Sequence, residues 1–98
     1  MVTFDFIQFG QDLGTRQLGV RVRDALMPLL QSEDKVVLNF SGVNVVSNSF
    51  ADECIAKLLL YMPLEELKQR TTFRGLNPMA HESVLTALQR RHLAIQNA

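Results

Sequence analysis

The chain has little of what most dedicated function classes require. It holds a single cysteine, Cys54, which excludes an internal disulfide. Neither charge is in excess: Lys plus Arg and Asp plus Glu number 10 each. A nucleic-acid binder normally carries a basic surplus and a membrane-surface binder a basic patch, so neither partner is expected. No apolar run approaches the roughly 18 residues of a membrane span. The opening MVTFDFIQF lacks a basic stretch and a long apolar core, so no signal peptide is expected. Repeats, linkers and low-complexity segments are also missing. Together these absences point to a cytoplasmic, reducing setting and to one domain over residues 1–98.

What is present is core. An apolar fraction of 47% fits a packed globule better than a disordered chain. Val2, Phe4 and Phe6 alternate with Thr3, Asp5 and Ile7, which predicts a strand to about Phe9, broken by the stretch from Gly10 to Gly14. Leu18, Val22, Ala25, Leu26, Leu29 and Leu30 follow helical spacing over Thr15 to Gln31, with Pro28 expected to kink the last turns. Val36, Val37, Leu38 and Phe40 form a near-continuous apolar run, the signature of a central strand covered on both faces.

A second helix follows. Ala51, Cys54, Ile55, Leu58, Leu59 and Met62 define its apolar stripe, with Asp52, Glu53 and Lys57 on the other side and Pro63 as its stop. Cys54 falls within the stripe and is expected to be a buried structural thiol. Glu65 to Gln69 suits one more helical turn. Thr71 to Arg74 reads as a strand ended by Gly75. Asn77-Pro78 is a helix start, with Asn as cap and Pro at the first position. The last helix is expected to reach about Arg91, with Ala80, Val84, Leu85 and Leu88 inward. Leu93-Ala94-Ile95 suits either an edge strand or a frayed tail. The alternation of strands and helices predicts an α/β domain: a small, mostly parallel sheet packed by about three helices.

No catalytic constellation is recognisable. The nucleophile-elbow sequence G-x-S-x-G is absent, and nothing places His81 or His92 near Ser47 or Ser49. The two histidines, eleven positions apart, match no metal-ligand spacing. Gly10 and Gly14 precede a helix without the lysine of a phosphate-binding loop. No catalytic residue, metal site or cofactor is therefore expected.

The loop Ser47-Asn48-Ser49 remains. Its plain reading is helix capping, with Ser49 and Asp52 at capping-box spacing. A functional reading adds that a phosphoryl group here would gain from the helix dipole and change the local charge by about −2. Asp52 and Glu53, in the first turn, would oppose it.

VVLNFSGV and VVSNSF resemble the core of STAS domains, the fold of bacterial anti-sigma factor antagonists. The run from Ser49 to Glu53 (SFADE), with Leu13 to Arg23 upstream, is more similar to a STAS-like family of uncharacterised function. The resemblance implies a compact STAS-like domain and a non-enzymatic regulatory module. Its partner would be a regulatory protein such as a histidine-kinase-like ATPase or a transcription regulator. In antagonists a loop Asp precedes the phosphorylated Ser or Thr. Here Ser47 takes the Asp position, Asn48 and Ser49 the hydroxyl positions, and Phe50 replaces the Gly. Only Ser49 would inherit phosphorylation.

The expected docking surface is Asn44, Ser47, Asn48, Ser49, Asp52, Glu53 and Lys57, with Ser49 capping the helix; the family resemblance further implies that Arg16 pairs with Asp52. The three charged residues of the helix would give that contact its electrostatic specificity. The alternative function is a small-molecule or nucleotide sensor, with Arg16 or Arg74 assisting anion binding at the helix start. Sheet-edge pairing into a homodimer is compatible with a small open sheet.

Overall fold

The computed structural model describes residues 1–97. Three strands, β1 (Val2–Asp5), β3 (Val36–Asn39) and β5 (Thr71–Arg74), form a parallel sheet in the order β1-β3-β5. Two short strands, β2 (Asp12–Leu13) and β4 (Val45–Val46), pair in parallel beside it. Helix α1 (Arg16–Ser32) connects β1 to β3. Between β4 and β5 lies a composite helical segment over residues 48–60: α2 (Asn48–Phe50), a π-turn (Ala51–Ile55) and a 3-10 stretch (Ala56–Leu60). Helix α3 (Leu64–Arg70) and the long C-terminal α4 (Pro78–Gln96) complete the chain. This is the expected α/β domain on a small parallel sheet.

Strand order explains the layering. Each main strand is added on the same side of its predecessor, and crossovers are right-handed by default, so the connecting helices collect on one face. Phe4, Leu38 and Phe73 share a register row on the helix-covered face. Thr3, Asp5, Thr72 and Arg74 lie on the other face and are exposed. β3 is the central strand, and Val36, Val37 and Leu38 are all buried, so it is covered on both faces as its apolar run predicts; on the outer face Val37 stands outside the main core cluster, flanked in register by Thr3 and Thr72.

β1 is shorter than expected. It ends where its partner strand ends, at the Asp5–Asn39 pair, and Phe6–Phe9 turn into a 3-10 helix. The turn drops Phe6 into the core, where its ring stacks on Phe40 at 3.9 Å. The stretch from Gly10 to Gly14, expected only to break structure, holds β2. Ala25 and Leu85, expected inward, are exposed. Pro28 does not break α1, whose last turn closes with Glu33 N–H donating to Leu29 O at 2.9 Å. Arg70 supports that end from a distance in sequence, donating to Leu30 O and to Glu33 O. A cation there satisfies orphan carbonyls at the negative end of the helix dipole. Leu93–Ile95, left open between strand and tail, continue α4.

Candidate functional site

The corner from Asn44 to Asp52 is clamped from several sides. Asn44 and Val45 both donate their backbone N–H to Gln11 O, at 2.8 and 3.1 Å, and Ser47 N–H donates to Leu13 O at 3.0 Å. Asn77 caps α4 by accepting from Ala80 N–H at 2.8 Å, and its amide donates to Asn44 O at 2.9 Å. Ser47, not Ser49, caps the composite segment. Its hydroxyl accepts from Phe50 N–H at 3.0 Å and donates to Gly14 O at 3.0 Å. The expected capping box of Ser49 and Asp52 is therefore not formed. Asn44 and Asn48 are exposed, and Ser49 is half-buried.

The segment after the cap departs from ideal helix geometry. A π-turn inserts extra backbone per turn and is often found at functional positions. Here it lies between α1 and α4, so Ala51 and residues 53–56 are all buried. Glu53, expected on the exposed side, is 6% exposed. Its carboxylate accepts from Arg23 at 2.7 Å, Lys57 at 2.9 Å and Arg16 at 3.3 Å, and Arg23 also donates to the Glu53 backbone carbonyl. Arg23 above all, aided by Lys57 and Arg16 against the cost of burial, lowers the Glu53 carboxyl to about 2. Gly19 makes this approach possible: a Cβ added there would lie 2.9 Å from Glu53 Cβ. Lys57, expected on the contact surface, is occupied in the same cluster.

Asp52 faces the other way, into a cleft of about 340 Å³ walled by α4 and the helix start. It accepts from Arg16 Nη1 at 2.9 Å, and from Arg91 through Nη2 at 2.9 and 2.8 Å and Nε at 3.2 Å. The expected Arg16–Asp52 pair is formed. Partial burial pushes the Asp52 carboxyl up, but Arg91 and Arg16 outweigh it and hold it below its ordinary value. Asn48, Ser49, Thr86 and Arg90 complete the polar lining.

Arg74 stands elsewhere, with His81 and Leu85 along the β5 side, so Arg16 and Arg74 do not form one anion site. Arg90 and Arg91 were missed by the sequence reading. A signal for Arg91 exists: Ala80, Val84, Ala87 and Arg91 continue one 4-3-4 stripe, and an arginine on a buried stripe demands a carboxylate. Cys54 is fully buried, and desolvation pushes its thiol up to about 12, as suits a structural thiol. Among the described residues no hydrogen bond joins His81 or His92 to Ser47 or Ser49, and no helix is long and apolar enough to cross a membrane.

Against known proteins, a family model described as a STAS-like domain of unknown function (DUF4325) matches residues 19–81. No curated protein and no solved structure matches the chain. The matched stretch contains the corner, Asp52 and Glu53, whereas Arg16, Arg90 and Arg91 lie outside it.

Proposed function

This chain belongs to the family of STAS-like domains of unknown function, and we propose that it acts as a non-enzymatic regulatory module docking a signalling protein through the corner and helix start over residues 44–57. The observation that carries this reading is the clamped, exposed corner. Asn44, Val45 and Asn48 present their side chains from backbone that is held by β2, by the Ser47 cap and by Asn77. A surface held in place before contact loses little entropy on binding. Partners of the class that the STAS resemblance suggests, a histidine-kinase-like ATPase or a transcription regulator, fit such a surface.

Ser49 is the position where modification would act on that contact. It lines the cleft with Arg16, Arg90 and Arg91, and a phosphoryl group would add a charge of about −1.5 to −2 there. The objection raised by Asp52 and Glu53 weakens, because each carboxylate already has two or more cations upon it. The test is affinity capture from the native host with the whole chain and with Asn48→Arg. A partner held by the wild type and lost by the variant, with matching circular dichroism, is the expected result. An unchanged set of captured proteins contradicts the reading.

One observation favours a second reading, a small-molecule sensor: the cleft's volume lies at the lower end of the range for small-ligand sites. A thermal-shift series with nucleotides decides it, since a ligand bound only by the folded chain raises the melting temperature. No shift at millimolar nucleotide removes this alternative.

A further inference from the structure

We infer that the partner element entering this cleft is acidic, an Asp- or Glu-bearing segment whose carboxylates are received by Arg16, Arg90 and Arg91. The inference rests on the docking reading and adds the sign of the contact. Sequence pattern alone assigns electrostatic specificity to Asp52, Glu53 and Lys57, a set of mixed sign that does not fix the charge of the partner. The structure buries the Glu53 carboxylate and engages Asp52, at the cleft wall, with Arg16 and Arg91, so cationic groups outnumber carboxylates at the cleft. Around the cleft three arginines stand against one carboxylate.

A count of donors leads to the same sign. A guanidinium has five N–H donors and no acceptor. Arg91 commits Nε and Nη2 to Asp52, and its Nη1 has no acceptor among the described residues. Arg16 commits Nη1 to Asp52 and Glu53, leaving Nη2 and Nε without acceptors among the described residues. Arg90 is exposed and forms no ion pair among them. Asp52 is thus a positioning residue that grips two guanidinium groups by one edge and leaves their other donors for a ligand. Planar forks of this kind match carboxylates. A nucleic acid fits less well, because the chain as a whole carries no net charge and binding to a polyanion draws on many phosphate contacts. All three arginines lie outside residues 19–81, so the sign of the contact is supplied by residues beyond the matched stretch.

The test is fluorescence anisotropy with fluorescein-labelled hexaglutamate, titrated with the wild type, with Arg90→Glu and with Arg74→Glu. The last makes the same charge change on another face. Wild type and Arg74→Glu are expected to bind alike, and Arg90→Glu about tenfold or more weakly. Equal binding by Arg90→Glu, or no binding by the wild type at about 1 mM, overturns the inference. An Arg90-dependent response to ATP without one to the peptide also overturns it, in favour of a small-anion site. The capture experiment separates this inference from the reading beneath it. Capture lost with Asn48→Arg but retained by Arg90→Glu removes the acidic contact alone; capture retained by both removes the docking surface too.

Discussion

The cleft beside Asp52 and the ion cluster around Glu53 are built from adjacent residues, and they serve opposite ends. Glu53 is enclosed by Arg23, Lys57 and Arg16, pressed against Gly19, and shut off from solvent. Asp52, one position earlier, holds Arg16 and Arg91 at the wall of an open cleft. The first arrangement joins α1 to the composite helix; the second presents cationic donors. Arg16 touches both carboxylates, so the rigid side positions the accessible one. Successive side chains on a helix point about 100° apart, so Asp52 reaches Arg91 of α4 while Glu53 reaches Arg23 of α1.

The comparison breaks most sharply at Glu53. Removing one partner from a buried ion pair leaves an uncompensated charge and costs about 3–5 kcal/mol, so Glu53→Ala is expected to lose that much in urea unfolding, whereas Asp52→Asn, at a more solvated pair, should lose roughly 1 kcal/mol or less. Equal losses would erase the distinction between the two regions. The same contrast has a pH signature. With a folded value of about 2 against an ordinary 4.5, Glu53 contributes stability that is complete above about pH 4.5 and is lost as pH falls toward 2. Acid unfolding of the wild type should therefore steepen in that window, and Glu53→Gln should flatten it.

Gly19→Ala comes next. Alanine normally favours a helix over glycine by about 1 kcal/mol, but here its Cβ meets a Cβ and not a flexible tip. Overpacking of this kind costs about 1–3 kcal/mol, so the variant is expected to unfold at lower urea. A stabilised variant would show that the approach of α1 to Glu53 is loose. Smallest is the contrast between two serines. Ser47→Ala removes a helix cap and should cost about 1 kcal/mol. Ser49→Ala, outside the cap, should stay within about 0.5 kcal/mol. Reversed values would return the cap to Ser49 and withdraw its availability at the cleft.

Much of the architecture was legible from periodicity and punctuation. Thr15 before α1 and Asn77-Pro78 before α4 mark real starts, and the stripe from Ala51 to Met62 is buried. The failures share a cause: local pattern carries no information about what packs alongside. Phe6 looks like a strand residue until its stacking on Phe40 is seen. Glu53 sits on the polar side of its own helical pattern, and the close approach of α1 at Gly19 and Arg23 buries it. At the site, the Arg16–Asp52 pair, expected from the family resemblance and not from spacing, is formed, whereas the cap falls on Ser47 and not on Ser49. Arg90 carried no local signal, and Arg91 only its place on the buried stripe of α4, since both come from the far end of another helix. Of the two arginines offered as alternatives for anion binding at the helix start, Arg16 lines the cleft there and Arg74 stands elsewhere.

The central claim is that recognition occurs at this corner and cleft and not at the sheet. Amide hydrogen exchange of the chain, alone and with its captured partner, tests it most directly. The account predicts slowed exchange in residues 44–52 and 86–94, with β1 and β5 unchanged. Protection confined to β1 or β5, with the corner exchanging as freely as before, would contradict it.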